Sequence, residues 1–387
     1  MTDYMALEKS YEFDVYPKRE VVIVRGKGAR VWDVNGKEYI DCVAGHGVAN
    51  IGHCSEKVVA ALHEQADRLI SCSMTFYNDT RAQFLEKLLS VVPQNLKRAF
   101  LCNSGTEAVE GAIKFARFTT KKKDFITAMR GFHGRTMGSL SATFNPEYRK
   151  EFEPLVPGFK YVPFNNFEKL KEAVTDGTAG IILEIVQGEG GVHVGGKDYF
   201  TQVRQLCDEK NILLIIDEVQ TGFCRTGKMF ACSYFDLEPD ILCLAKAMAG
   251  GVPMGAIVCS EKIQPPMGKH GSTFGGNPLA CAAGIAAIDF MVGSGLAEQA
   301  REKGDYFVGR LKKQNFANVR EIRHLGLMIG IELKEKGQPY LVKLMDRGVL
   351  AMPAGATVLR FLPPLTISHE ELDFVIDEVI EVLPKAG

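Results

Sequence analysis

Residues 212–217 read Ile212-Leu213-Leu214-Ile215-Ile216-Asp217, an apolar run that stops on a carboxylate. A run this short and unbroken reads as a strand buried on both faces rather than one with a wet side. The chain repeats the pattern. Ala99-Phe100-Leu101-Cys102 runs into Asn103-Ser104-Gly105-Thr106-Glu107, Ala179-Gly180-Ile181-Ile182-Leu183 into a glycine-rich loop, and Ile241-Leu242-Cys243-Leu244 into Ala245-Lys246. Amphipathic stretches alternate with these runs. The alternation predicts an α/β fold, a mostly parallel sheet with helices on both faces. Ligands bind outside the carboxyl ends of such strands, where these polar residues fall.

Outward from this centre the pattern changes. Near the N-terminus, Val21–Val24, Ala29–Val34 and Tyr39-Ile40, with a turn at Asn35-Gly36, predict a small antiparallel sheet. Val58, Leu62, Ala66 and Leu69 have helical spacing. Beyond Gly275-Gly276-Asn277-Pro278 come an alanine-rich helix at about 279–292 and an amphipathic one at about 297–314. Strands near 319–323 and 328–333 and a final helix from about His369 to Leu383 complete the chain. We expect a large domain at 51–278 and a smaller α+β domain at 279–387, joined by the N-terminal segment 1–50.

At 387 residues the chain buries a sizeable core unaided. A formal net charge of -1 gives no global attraction to nucleic acid or an acidic membrane. Its first residues lack a basic segment followed by an apolar one, so no signal peptide is expected. The 10 cysteines form no C-x-x-C pair, which favours buried reduced thiols in a cytoplasmic protein over zinc or disulfides. Lys121-Lys122-Lys123, the one basic triplet, reads as the solvated end of a helix.

Three short segments carry chemistry. Ser104-Gly105-Thr106, between a strand and a helix, offers free N–H groups and a helix dipole to a phosphate, although Ser104 and Glu107 are also spaced as a plain capping box. Asp217 suits a metal ligand, an acid/base group, a ring-nitrogen partner or a helix cap. Lys246, among small and apolar residues, is either a nucleophile freed by burial or a lysine snorkelling from a strand end. Together they narrow the choice. Pyridoxal phosphate needs an amine for its aldehyde, a cradle for its phosphate and a carboxylate to keep its ring nitrogen protonated, and these segments supply all three.

The chain resembles the class III (ω-amino acid) aminotransferases, of the fold type I pyridoxal phosphate architecture, over nearly its whole length. The resemblance lies in N-S-G-T-E-A at 103–108, F-H-G-R at 132–135, Q-G-E-G-G at 187–191, I-D-E-V-Q-T-G-F at 216–223, the Lys246 segment, G-S-T-F-G-G-N-P at 271–278 and R-F-L-P-P at 360–364. It implies that Lys246 bonds the cofactor and shuttles the proton, Asp217 pairs with the pyridine nitrogen and Gln220 binds the ring hydroxyl. Phe132 and Val219 would pack on the two ring faces, and Ser104, Gly105 and Thr106 would hold the phosphate. Thr273, beside Ser272 in the substrate loop, would reach the cofactor of a neighbouring subunit, which implies a homodimer with shared sites.

For the substrates, glutamate and 2-oxoglutarate on one side and an ω-amine on the other, the resemblance implies two arginines. Arg135 would grip glutamate's distal carboxylate or the ω-amine's α-carboxylate. Arg360 would grip glutamate's α-carboxylate, masked by Glu189 when the ω-amine is bound. Within the family, A-G-H-G-V at 44–48 and A-G-A-T-V-L-R-F-L-P-P at 354–364 are similar to the acetylornithine branch. They are closer still to enzymes acting on lysine or ornithine attached to an acidic amino-group carrier protein of the LysW type. His46 would touch the blocked α-nitrogen side or bond backbone. The implied reaction belongs to lysine or arginine biosynthesis. Open alternatives are a 4-aminobutyrate or ornithine aminotransferase, a same-fold aminomutase or epimerase, and a non-catalytic cofactor-binding module.

Overall fold

The structure is a computed structural model and describes residues 2–385. Its centre is a seven-stranded sheet. Across it the strands run Leu96–Cys102, Gly255–Ser260, Ile241–Leu244, Leu213–Asp217, Thr178–Glu184, Asp124–Ala128 and Phe159–Val162. Neighbours are parallel except at Gly255–Ser260, which is antiparallel to both of its partners. The period of two is visible in the run that opened the sequence. Leu213 and Ile215 join the core beneath helix Gly105–Thr120, whereas Leu214 and Ile216 join the opposite core with Phe200 and Val203 of helix Lys197–Lys210. Both faces are covered, so every residue of Leu213–Asp217 is buried. Each aliphatic side chain enclosed this way contributes about 1.5–3 kcal/mol.

The N-terminal hairpin forms as expected. Strands Arg30–Asp33 and Glu38–Asp41 pair antiparallel, with Gly36 at φ +83° in the turn and Ile23–Lys27 alongside. Their fourth neighbour is Val349–Leu350, parallel to Glu38–Asp41, so the first fifty residues share a sheet with the last fifty. A separate sheet, ordered Val319–Leu325, Met328–Leu333, Val358–Phe361 and Met352–Pro353, carries Arg360, while helices Leu296–Lys312 and His369–Val382 pack together in the same part of the chain.

Two sequence expectations are displaced. In helix Glu56–Arg68, Ala66 is exposed and Leu69 lies just past the end, 43% exposed; Val58, Leu62 and Gln65 face inward instead. Gln65 is buried because its amide is satisfied, donating to Leu69 O at 2.8 Å and accepting from Thr80 Oγ1 at 3.1 Å. The alanine-rich helix Pro278–Gly293, expected to open the C-terminal domain, packs chiefly on helices Glu56–Arg68 and Asp79–Val91 and on the turn that holds Lys246. Its small residues admit close approach: a Cβ on Gly284 would lie 2.5 Å from the Phe84 ring. Among the described residues no single helix is long and apolar enough to cross a membrane.

Candidate active site

The carboxyl ends of strands Leu96–Cys102, Thr178–Glu184, Leu213–Asp217 and Ile241–Leu244 bring their polar residues to one cavity of about 570 Å³. At one wall begins helix Gly105–Thr120. Ser104 is its N-cap, accepting from Glu107 N at 3.3 Å, and the Glu107 carboxylate accepts from Asn103 N at 3.0 Å. Capping and cavity lining therefore coexist, because the cap leaves other first-turn N–H groups without helical acceptors. Thr106 Oγ1 is held by Thr136 at 2.8 Å and Ser139 at 2.6 Å. Gly105 has no room for a side chain; a Cβ would lie 2.7 Å from Val219 Cγ1.

Lys246 follows strand Ile241–Leu244 on a left-handed residue, φ +47°. Such backbone is costly for a side-chain-bearing residue and persists only where its surroundings enforce it. Here Ala247, Met248 and Ala249 are buried, and Gly250 sits tightly against Val58 and Ile51. Enclosure pulls the Lys246 pKa below its ordinary value, with Arg360 adding to the fall and Glu189 and Asp217 opposing it.

Asp217, buried on the adjacent strand, accepts from Val219 N at 3.0 Å through Oδ1, and its Oδ2 lies 2.8 Å from His133 Nδ1. Burial alone would depress the His133 pKa, but the bond to Asp217 and the charges of Asp217 and Glu184 outweigh it and raise it. Glu184, at the end of its own strand, accepts from Phe132 N at 3.0 Å, and burial pushes it up to about 7. Neither His133 nor Glu184 stood out in the sequence. Glu184 had a signal, an apolar run ending on an acid like that of Asp217; His133 had none beyond its place in F-H-G-R.

On the substrate side, Arg360 is completely buried and its NH2 lies 2.6 Å from Glu189 Oε1. Its NH1 donates to Gln220 Oε1 at 3.1 Å. Arg135 is exposed, its guanidinium 3.5 Å from the centre of the Tyr148 ring. The structure brings every expected site residue to this cavity except four. Arg360 reaches it through Glu189 and Gln220. His46 lies exposed in a left-handed turn, Ala44–Gly47, next to the cavity-lining Val48. Thr273 is exposed outside it. Ser272, expected at the substrate, accepts from the cavity-lining Asn103 Nδ2 at 3.2 Å and from Gly275 N of its own loop at 3.0 Å.

An enclosed amine, a buried carboxylate, a helix N-terminus and the apolar side chains of Phe132 and Val219 in one cavity lining fit pyridoxal phosphate. The absence of room at Gly105 shows the cradle drawn close to Val219. The family model for aminotransferase class-III matches residues 14–383. The chain belongs to the class-III aminotransferases. This family is pyridoxal phosphate-dependent, and its fold type I architecture is the one described above. Among its class-III relatives, the [LysW]-aminoadipate semialdehyde transaminase of Deinococcus radiodurans is 50% identical over 98% of this chain and 90% of its own. An acetylornithine aminotransferase of Methanocaldococcus jannaschii is 49% identical over 98% of both chains. The crystal structure of the ornithine aminotransferase from Toxoplasma gondii ME49 superposes with a TM-score of 0.94 at 35% identity, covering 98% of this chain and 94% of that one. A second structure of the Toxoplasma gondii enzyme, TM-score 0.93, 35% identical and covering 98% and 93%, shows pyridoxal phosphate at partial occupancy in its active site.

Proposed function

We propose that this class-III aminotransferase moves the terminal amino group between an N-blocked lysine or ornithine and 2-oxoglutarate, in lysine or arginine biosynthesis. The blocking group is an acetyl or an acidic carrier protein. The observation that carries this reading is the Glu189–Arg360 pair at 2.6 Å. With the pair closed, the buried guanidinium is neutralised and the cavity accepts a terminal amine bearing no nearby carboxylate. With glutamate, the α-carboxylate takes Glu189's place on Arg360 and the distal carboxylate goes to Arg135. One cavity thus serves two substrates of different charge.

Bound pyridoxal phosphate supplies an electron sink for the bond being broken at the amine-bearing carbon. The chain's residues do the rest. Asp217 would pair with the protonated ring nitrogen, and His133 holds Asp217 in place. Ser104, Gly105 and Thr106 would anchor the phosphate, while Phe132 and Val219 would pack on the two faces of the ring. Lys246 Nζ, less basic than an exposed lysine, takes and returns the proton at the substrate carbon.

We further place the enzyme in the cytoplasm as a homodimer. The dimer is supported by aromatic surface beside Thr273: Phe76, Tyr77 and Phe274 are 68%, 107% and 63% exposed. Arg81 ties their loops together by donating to Phe76 O at 3.1 Å and Gly276 O at 2.7 Å. The free buried thiols suit a reducing compartment.

The test follows the visible absorbance of the holoenzyme as N-acetylornithine, free ornithine or carrier-linked lysine is added, then 2-oxoglutarate. Bleaching by a blocked donor and recovery with 2-oxoglutarate supports the proposal. A response to free ornithine alone makes the chain an ornithine aminotransferase.

A further inference from the structure

The catalytic cavity continues beyond the reacting groups. A side pocket of about 300 Å³ shares Phe132 and Glu189 with it and is bordered by Tyr148, Glu332 and residues 354–358. An outer groove of about 690 Å³ shares Arg130 and His193 with that pocket and runs past Arg323 and His324. Arg130 therefore stands where the side pocket joins the groove.

Arg130 differs in its pairing from the other arginines nearby. Arg323 is held by Glu321 and Glu332, and Arg320 by Glu332, so the Glu332 carboxylate at the pocket is neutralised. Arg130 has no carboxylate within ion-pair distance among the described residues. Its NH1 lies 2.9 Å from His193 Nε2. Partial burial, then Arg323 and Arg130 themselves, depress the His193 pKa, so the ring is a neutral acceptor and the charge of Arg130 is uncompensated. The residue is also held in place. Its backbone is left-handed at φ +65°, and a Cβ on Gly190, next to Glu189, would lie 2.7 Å from Arg130 O. Arg130 is exposed; the strained backbone packed against the substrate loop fixes where its side chain starts, and the His193 ring positions its guanidinium.

Geometry sets what approaches it. With the terminal amine at Lys246 and the α-carboxylate at Arg135, the group on the α-nitrogen would come to lie beside Tyr148. Tyr148 stacks under Arg135 and borders the side pocket. We propose that the side pocket receives the blocking group and that Arg130 selects blocking groups bearing a carboxylate. This rests on the N-blocked substrate proposed above. The pocket holds a short acyl acid; a protein-borne acid would lay its chain along the outer groove.

The experiment compares N-succinyl-L-ornithine with N-acetyl-L-ornithine, which differ in that carboxylate, on the holoenzyme and its Arg130→Gln and Arg130→Lys variants. Absorbance and thermal midpoint confirm that each variant is folded and loaded. A charge-assisted contact predicts a kcat/KM ratio favouring the succinyl substrate by roughly tenfold in the parent, falling to near one in Arg130→Gln and partly kept in Arg130→Lys. A parent ratio near one, or a preference that survives Arg130→Gln, overturns the inference while leaving N-blocked transamination intact. Loss of response to both substrates in the parent sinks the broader reading instead. A third arm offers ornithine amide-linked to an acidic C-terminal peptide. A further gain over the succinyl substrate supports a protein-borne acid in the groove, and no gain supports a small acyl acid; both retain the Arg130 contact.

Discussion

Glu189 Oε1 lies 2.6 Å from NH2 of the completely buried Arg360, and the two residues are 171 positions apart in the chain. Burial tends to raise the Glu189 pKa, but Arg360 and Lys246 overcome it and hold the carboxyl below its ordinary value, so the acid stays ionised against its partner. Glu189→Ala leaves Arg360 charged and unmasked. We expect the half-reaction with a terminal-amine donor to slow by at least about tenfold, and the glutamate half-reaction by much less, in single-turnover spectra. Equal loss in both halves would refute the switch.

Lys246→Ala removes both the covalent anchor and the proton carrier. Turnover should fall by about 10³-fold or more, and dialysis should strip pyridoxal phosphate that the parent retains. Turnover at the parental rate would sink the assignment of Lys246.

Glu184 gives a pH signature. Burial pushes its carboxyl up to about 7 in the fold from an ordinary value of 4.5. The raised value means that the folded state binds more protons between these limits. Stability from this group is therefore full below about 4.5 and lost as pH rises through about 7. In Glu184→Gln, the fall in thermal midpoint across that window should shrink. An unchanged slope would show that the carboxyl is already ionised.

Gly105→Ala pushes a methyl into Val219. The expected cost is about 1–3 kcal/mol of stability, with weaker cofactor retention, both seen by thermal and absorbance titration. Adding Val219→Ala relieves the contact and should restore much of the loss. Failure of the double variant to recover would mean that the glycine matters for its backbone alone.

Phe274→Glu places a charge in the exposed aromatic surface near Thr273. Sedimentation should show a shift toward monomer together with lower cofactor affinity. A monomeric parent would remove the basis for a shared site.

The strands and the residues at their ends were legible because both signals are local. Ile212–Ile216 declares a doubly covered strand, and an acid or lysine just past such a run is delivered to the sheet edge whatever surrounds it. The Asn35-Gly36 hairpin was legible for the same reason. Ser104 was legible twice over, as cap and as cradle, since one helix start does both. Ala66 and Leu69 misled because helical spacing does not say which apolar residue loses its place to a satisfied Gln65. The partners of the Ser272 hydroxyl, Asn103 at the cavity and Gly275 in its own loop, were not legible because packing sets them.

By itself the sequence determined the α/β layering, the helix-start cradle at Ser104 and the delivery of Asp217 and Lys246 to one sheet edge, because backbone periodicity and strand direction compel them. Tertiary structure alone decided that His133 braces Asp217 from 84 residues away and that Arg130 keeps an unpaired charge where a side pocket opens, and it set the 2.6 Å separation of the expected Glu189–Arg360 pair. Those relations join segments distant along the chain. They arise from packing, which sets the distance between two charges and whether water or protein fills the gap.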